Sequence, residues 1–419
     1  IRSADISAPG VTGTHPLKRH WITSTSGISG SVLADISFAY LPSDIPAGGT
    51  SGFYEIVYLP ASGIWGMPGG AGAAGTNPLR ATAATTLDAT WTGTEPEKRI
   101  FYSLKTGSWD EPETWTLDPS GTQPLNPNSY TPSSSPTTAY DEVVILSGRT
   151  VTVASNNKTN RSLTVDGTID FGSTTGHSFS TISGTGRVRL AGDNFPAGDA
   201  TDFISPGQGQ GTVEYYGTTR NLTVSRTFYN VDVNVSSGNT LSLLTDYQVN
   251  GDLSVSGGIM GIGNNLSVTP VAITVKGNVE VSASGRIATG TAGARHTLNI
   301  YGNLTNNGEA RFTNRTSANY MSEATNGITD VNFVSPDRNQ AVICRGITIF
   351  YRIGIDKGTN STYVLDLDAS NQAYFNLYGY ANENHSPAVS QLTVNNNALG
   401  LVRGTVRIGN NINIPVLSS

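Results

Sequence analysis

The chain has 419 residues, of which only 13% are charged, about half the share in an average soluble protein. Glycine, serine, threonine and asparagine take up the difference, which indicates an all-β protein with many turns rather than a disordered chain of high net charge. The net charge of −6 and the pI near 5.4 exclude the basic surface that nucleic-acid binding requires. No apolar run is long enough to predict a transmembrane helix.

Metal and disulfide chemistry has little support in the sequence. Cys344 is the single cysteine, so an internal disulfide and a cysteine-based metal site are both excluded, and we expect a buried thiol. The five histidines are scattered without the spacing of zinc ligands, so no zinc site is predicted.

The first 140 residues divide into two parts. Residues 1–97 predict a small β-sandwich, with candidate strands at 21–23, 31–40, 54–59 and 86–91 between clusters of turn residues. Residues 98–140 form a junction with two tryptophans, Trp109 and Trp115, followed by a run rich in Pro, Ser, Thr and Asn over 119–138. We expect the tryptophans to cap the next domain, because the end of a solenoid exposes apolar core and unpaired strand edges.

A short strand, a Gly-Asn or Gly-Asp corner and a second short strand recur within residues 141–419. The corner glycines Gly251, Gly277 and Gly302 follow each other at about 25 residues, a period that predicts stacked repeats. Such short strands fit the faces of a parallel β-helix, with Val, Leu and Ile inward and Ser, Thr and Asn outward. The least regular stretches, 193–211 and 314–338, are interpreted as loops inserted between coils.

We therefore predict an all-β fold: an N-terminal β-sandwich followed by a right-handed parallel β-helix (solenoid). The same short strands could instead pair antiparallel through Gly-Asn hairpins, giving two or three further sandwiches in series. The spacing of the corners favours the solenoid.

Motifs near the junction resemble those of a known group of proteins. They are Gly107-Ser108-Trp109, Thr114-Trp115, the Asp-Glu-Val-Val-Ile of 141–145 and the Arg-Thr-Val-Thr-Val of 149–153. This pattern is similar to large secreted and cell-surface β-helix proteins of Bacteroidota. The resemblance implies export by the type IX secretion system and an extracellular location. It supplies no catalytic residues.

Two sets of residues are candidates for chemistry. Polysaccharide-degrading enzymes need clustered carboxylates, and the best pair is Asp366 and Asp368, which share one strand face; a solvated strand face is the alternative that we favour. The second set is a candidate binding site for Ca²⁺ or a sugar, with a structural turn as its alternative, and comprises Trp109, Asp110, Glu111, Glu113 and Trp115.

The leading hypothesis is a non-enzymatic, secreted or cell-surface, structural or adhesin-like protein that presents a rigid β-helical stalk. One alternative is a polysaccharide-active enzyme or carbohydrate-binding module. Another is a self-assembling sheath or filament subunit, since an open coil end can stack on another chain. The expected partners are other surface or secretion-system proteins, glycans or further copies of the chain, and no cofactor is predicted besides the candidate Ca²⁺.

Overall fold

The computed structural model describes residues 1–419 except 12–14, 50, 52–53, 62, 69–70, 72–75, 96–98, 124–135, 137–140, 206, 208, 267–268, 291–293, 315–326, 379–397 and 415–419. Most of the polar run predicted after Trp115 therefore lies outside the described residues. The chain divides into two compact units, residues 1–100 with 138–142 and residues 101–137 with 143–419. Among the described residues the only α-helix is one turn, α1 (Thr201–Ile204), so the all-β prediction is confirmed.

Two antiparallel sheets form the N-terminal unit. Its strands are β1 (Arg2–Ala4), β2 (His20–Thr23), β3 (Ala34–Phe38), β4 (Glu55–Pro60), β5 (Leu79–Ala84) and β6 (Ala89–Thr94), with a 3₁₀ turn at Pro42–Asp44. The larger sheet has the order β1-β2-β6-β4, and β3 pairs with β5. Phe38 of the smaller sheet stacks on Trp21 of the larger one, with 4.8 Å between ring centroids, and also contacts Trp91. The two sheets thus share one aromatic core, as a small sandwich requires.

Short strands build the C-terminal unit. Their bounds are β7 (Ile100–Ser103), β8 (Gly107–Ser108), β9 (Trp115–Thr116), β10 (Glu142–Ile145), β11 (Thr150–Thr152), β12 (Thr159–Val165), β13 (Thr168–Gly172), β14 (Ser178–Ser183), β15 (Arg187–Leu190), β16 (Ala197–Asp199), β17 (Thr212–Gly217), β18 (Arg220–Leu222), β19 (Arg226–Phe228), β20 (Asn230–Val235), β21 (Thr240–Leu243), β22 (Tyr247–Val249), β23 (Leu253–Ile262), β24 (Ala272–Val275), β25 (Val279–Val281), β26 (Gly285–Thr289), β27 (Arg295–Ile300), β28 (Leu304–Asn306), β29 (Glu309–Arg311), β30 (Ile328–Phe333), β31 (Gln340–Cys344), β32 (Ile347–Phe350), β33 (Arg352–Asp356), β34 (Val364–Ala369), β35 (Phe375–Leu377), β36 (Leu399–Arg403) and β37 (Thr405–Ile408). Two 3₁₀ turns lie at Pro112–Thr114 and Gln372–Tyr374.

These strands stack into four sheets. The long sheet has the order β8-β11-β13-β15-β17-β20-β23-β25-β28-β31-β34-β37. The second sheet has the order β18-β21-β23-β26-β29-β32-β35, and the third sheet has the order β19-β22-β24-β27-β30-β33-β36. The initial sheet has the order β16-β14-β12-β10-β7-β9.

Successive coils of the chain pair in parallel. From β17 onward each coil contributes a strand to the long, second and third sheets in turn. The ten-residue strand β23 pairs in both the long sheet and the second sheet. The third sheet has seven strands, so the described residues complete seven such coils. Parallel pairing confirms the predicted solenoid and excludes the alternative of serial antiparallel sandwiches.

Aliphatic side chains of the long sheet lie directly above one another inside the solenoid. Each residue of this column is at most 5% exposed. The members follow the strand register and are Val151, Ile169, Val188, Val213, Val231, Leu253, Val279, Leu304, Val342 and Leu367. Each buried side chain contributes about 1.5–3 kcal/mol relative to exposure. The predicted inward positions of Val, Leu and Ile are therefore confirmed.

The recurring corner glycines stack on one another between the third and the long sheets. The Gly277 amide donates to the Gly251 carbonyl, and the Gly302 amide donates to the Gly277 carbonyl, both at 2.8 Å. A Cβ atom on Gly277 would lie 2.5 Å from the Gly251 carbonyl oxygen. Glycine is required here because a side chain would push the coils apart.

A polar ladder follows the same corner. The side-chain Oδ1 of Asn230 accepts the amide of Asp252 at 2.9 Å, and Asp252 accepts that of Asn278 at 2.6 Å. Asn278 accepts the amide of Asn303 at 2.9 Å, and Asn303 accepts that of Ala341 at 2.8 Å. Each corner side chain therefore satisfies a backbone donor that belongs to the following coil.

The interpretation of 314–338 as an inserted loop is wrong over β30. All six residues of this strand are buried, although half of them are polar. Asp330 pairs with Arg295 through two contacts of 2.8 and 2.9 Å, and Asn332 donates to Asn299 Oδ1 at 3.0 Å. The polar residues conceal the strand in the sequence because their partners lie on β27, more than thirty residues earlier. The stretch 193–211 likewise contains β16 and α1.

One buried lysine occupies the corner between β33 and β34. Lys357 is 0% exposed, and its ammonium group donates to Gln340 Oε1 at 2.6 Å. Burial is the main reason that the pKa of Lys357 falls to about 8, and Arg338 lowers the pKa further.

We expect replacement of Asn278 by alanine to lower the free energy of unfolding by about 1–2 kcal/mol, because the Asn303 amide loses its acceptor. Urea denaturation measures this loss. Thr305→Ala is the matched control, since the outward Thr305 side chain has no hydrogen-bond partner within the described ranges. Equal losses in both variants would show that the ladder does not stabilise the corner.

The buried lysine predicts a rise of stability with pH. The native state releases the Lys357 proton near pH 8, whereas the unfolded chain keeps it to about pH 10.4, so the free energy of unfolding increases between these values. Urea denaturation from pH 7 to pH 9.5 should show this rise in the wild type and in Lys105→Met, which alters an exposed lysine, but not in Lys357→Met. An equal rise of the free energy of unfolding with pH in Lys357→Met would show that Lys357 does not cause the rise.

Candidate functional site

The outward side of the long sheet carries a charged stripe. It comprises Asp170 on β13, Arg187 and Arg189 on β15, Glu214 on β17 and Asp232 on β20. These residues alternate with interior aliphatic and aromatic ones, so strand periodicity directs all five side chains to the same side. Parallel stacking then places charges from four coils next to one another.

Every charged group of the stripe forms an ion pair with a group of opposite charge. Arg189 contacts Asp170 at 2.7 Å and Glu214 at 3.2 Å, and Arg187 contacts Glu214 at 3.0 Å and Asp232 at 2.9 Å. Glu214 is only 5% exposed because the two arginines cover it. The arrangement is a closed ion-pair network, and it leaves no carboxylate of the stripe free for acid–base work.

Tyr216 extends this network on the outward face of β17, while Tyr215 points inward, as adjacent residues of a strand must. The Tyr216 hydroxyl donates to Asp170 Oδ1 at 2.7 Å, and the Arg189 guanidinium lies 4.2 Å from the ring centroid. Burial, together with the neighbouring Asp170, raises the pKa of Tyr216 to about 12. This tyrosine therefore remains a protonated hydrogen-bond donor at neutral pH.

The predicted carboxylate pair, Asp366 and Asp368, lies outward on β34 with Leu365 and Leu367 buried on the other side. Each aspartate is held by an arginine from a neighbouring coil. Arg407 Nε contacts Asp366 at 2.7 Å, and Arg345 contacts Asp368 at 2.6 Å. The hydrogen bond from Arg407 lowers the pKa of Asp366, which therefore stays ionised and is a poor general acid at neutral pH.

The tryptophans of the candidate binding segment belong to the interior. Trp109 and Trp115 are 0% and 1% exposed, and their rings meet edge to face with 5.2 Å between centroids. Trp115 Nε1 donates to the Trp109 carbonyl at 2.7 Å, and Trp109 also contacts Phe179. The adjacent strand β8 pairs with β11, so this segment forms the first rung of the long sheet. Neither ring has a face available for stacking on a sugar.

The acidic residues of that segment lie at the surface. Ser155 donates to Asp110 Oδ2 at 2.7 Å, and Lys158 forms an ion pair with the same carboxylate. Burial acts to raise the pKa of Asp110, but these two hydrogen bonds lower it overall. Glu111 accepts a long bond from the Ser108 amide at 3.4 Å, and Glu113 is exposed. The Asp110 carboxylate is therefore already paired with the Lys158 ammonium group.

A pocket of about 380 Å³ lies where the initial sheet ends and the third sheet begins. On one side is β16, which pairs only with β14 among the described strands, and on the other is β19, which pairs only with β22. The helical turn α1 forms another part of the wall. The pocket therefore has an open strand edge on each of two sides.

Arg226 is the basic group of this pocket, and two phenylalanines form its apolar floor. Phe195 and Phe228 contact each other with 5.1 Å between centroids, and the Arg226 guanidinium lies 5.9 Å from the Phe195 centroid. Arg226 Nε contacts Asp193 at 3.4 Å, while its terminal nitrogens have no partner in the described part of the chain. Sequence reasoning missed this pocket, because its residues come from two coils and match no motif.

No family model, no curated protein and no solved structure matches this chain. Within the described ranges, no group of three or more His, Cys, Asp or Glu side chains is placed to hold a metal ion. The described helices include none with the length and apolarity needed to cross a membrane. Cys344 is buried as expected, and burial raises the pKa of its thiol to about 11.

We expect Glu214→Gln to lower the free energy of unfolding by about 1–3 kcal/mol, because two arginines lose their shared carboxylate. Urea denaturation measures the change. Glu280→Gln on β25 is the control, since this exposed outward side chain has no partner among the residues described and should change stability by less than about 0.5 kcal/mol. Similar effects at both sites would contradict a stabilising network.

Proposed function

We propose that this protein is a non-enzymatic structural element, secreted or held on a bacterial cell surface, that uses its solenoid as a rigid adhesin-like stalk. The observation that carries the proposal is the in-register stacking of coils along the long sheet, reinforced at one corner by the glycine and asparagine ladders. Backbone pairing between every coil and the next gives a stiff body with an extended polar surface.

The state of the outward carboxylates supports a scaffold over the polysaccharide-active alternative. A glycosidase needs one carboxylic acid that stays protonated and a second carboxylate near the same sugar. Asp366 and Asp368 are instead each paired with an arginine, as is Glu214 in the charged stripe. These groups stabilise the coil stack and leave a surface of low net charge.

The proposed location rests on the motif resemblance described above. The tryptophan segment at 107–115 and the two short strands at 141–153 are similar to those of Bacteroidota surface proteins exported by the type IX system. In the structure the same residues start the solenoid, through β8, β10 and β11. In this proposal, the partners are other surface or secretion-system proteins, or glycans on an opposing surface.

A glycan panel separates the scaffold from the enzyme. The protein is incubated with uronate-containing and neutral polysaccharides while reducing ends and the absorbance of unsaturated products are followed. We expect no turnover, because the carboxylate pair is neutralised by arginines. Turnover that disappears in the Asp366→Asn, Asp368→Asn double variant would overturn the proposal.

Adhesion is tested with beads that carry the protein at high density. Under shear flow, these beads should be retained on mucin, cellulose or whole bacterial cells more than beads that carry heat-unfolded protein. Protease treatment of intact cells of the source organism should also remove the protein from its cell fraction. Equal retention of folded and unfolded protein on all three surfaces would contradict an adhesive role.

A further inference from the structure

We propose that Lys357 and Gln340 form an intramolecular isopeptide bond, in which the lysine amine replaces the carboxamide nitrogen of the glutamine and one ammonia leaves. Gln340 is the first residue of β31, and Lys357 directly follows β33. The three strands β31, β32 and β33 make one turn of the solenoid, so the bond closes that turn into a covalent ring. The chemistry does not depend on the scaffold role proposed above.

The two reacting side chains are buried and in contact. Lys357 is 0% exposed and Gln340 is 3% exposed, and the Lys357 Nζ atom lies 2.6 Å from Gln340 Oε1. The carbonyl carbon Cδ is bonded to that oxygen, so only a short movement of the amine brings Nζ onto Cδ. Groups held together in this way react as if at very high concentration, because folding has already removed their freedom to separate.

The surroundings of Lys357 favour its neutral, nucleophilic form. Within the described ranges, the neutral Gln340 oxygen is the hydrogen-bond acceptor of Nζ, and no carboxylate forms an ion pair with it. A buried ammonium without an opposite charge is costly, so the amine is the favoured state. Burial lowers the pKa of Lys357 to about 8, and Arg338 lowers it further, whereas the exposed Asp337 acts weakly in the opposite direction.

The carboxamide of Gln340 is held at both ends by backbone groups. The Ser335 amide donates to Oε1 at 3.3 Å, so it polarises the carbonyl group and can stabilise the oxyanion that attack on Cδ creates. Gln340 Nε2 donates to the Ile300 carbonyl at 3.0 Å and also to the Gly302 carbonyl. These two oxygens stabilise positive charge on Nε2, which therefore accepts a proton more readily and becomes a better leaving group.

The reaction needs no other reactant. The Nζ lone pair forms a bond to Cδ, and a proton moves from Nζ to Nε2. The bond between Cδ and Nε2 then breaks, the carbonyl double bond forms again, and ammonia leaves with both electrons of the broken bond. No described carboxylate contacts Nζ to transfer the proton, so the bond forms slowly, and newly folded chains keep the free Lys357 whose titration is predicted above.

Hydrolysis is the competing reaction of the same carboxamide. Water attacking Cδ would also release ammonia, but it would leave a free carboxylate at position 340. Ser335, Gln340 and Lys357 are each at most 3% exposed. Because the amine already contacts the carboxamide while bulk water is excluded from it, aminolysis is favoured over deamidation.

The test is tandem mass spectrometry of tryptic peptides after prolonged incubation of the folded protein at pH 9. Trypsin does not cleave after an acylated lysine, so we expect peptide 339–345 to be joined to peptide 353–403, with the mass of one ammonia missing. Lys357→Met and Gln340→Met should each abolish the joined peptide. Lys105→Met, which alters an exposed lysine, should leave its yield unchanged.

The rate of bond formation in the wild type provides a readout that does not depend on a variant. The rate should rise roughly tenfold from pH 7 to pH 9, because a lysine with a pKa of about 8 becomes neutral over this range. Protein unfolded in urea should form no joined peptide, since the two side chains are then apart.

Three results would each overturn the proposal. They are the absence of the joined peptide after incubation of folded wild type at pH 9, equal formation in unfolded protein, and deamidation of Gln340 in an unjoined peptide 339–345 as the sole product. Enzymatic or adhesive activity of the chain would leave these outcomes unaffected.

Discussion

In-register stacking of aliphatic side chains along the long sheet is the constraint on which the rest of the solenoid depends. A strand that slipped by one residue would turn Val213 or Val231 outward and bring Glu214 or Asp232 into the apolar interior. The hydrophobic column therefore fixes the register of every coil. The outward ion pairs follow from that register, because stacked strands bring charges from different coils to the same height.

The column also explains how the coils tolerate unequal lengths. Val213 and Val231 are stacked neighbours separated by 18 positions in the sequence, while Leu304 and Val342 are stacked neighbours separated by 38. Extra residues leave the stack unchanged as long as they are inserted at corners. The Gly251–Gly277–Gly302 corner lacks such freedom, since the Gly251 and Gly277 carbonyls each accept a hydrogen bond from the glycine of the next coil. Regular and variable corners thus coexist in one solenoid.

The sequence predicted features that depend on local pattern and missed those that depend on distant partners. The corner glycines and the alternation of Val and Leu identified the solenoid, because both repeat within a single coil. Strand β30 was missed because Asp330 becomes buried only through Arg295 on β27. Strand β5 was missed because alanines after Leu79 give a weak strand signal. The common face of Asp366 and Asp368 followed from spacing, whereas their arginine partners did not.

The distribution of arginines shows which parts of this surface stabilise the fold. Arg187 and Arg189 are each bound to two carboxylates, and Arg407 holds Asp366, so their charges are satisfied within the stack. Arg226 has one long contact and lies where two sheets fail to join. The paired arginines join different coils, and they therefore add to the backbone pairing that holds the stack together.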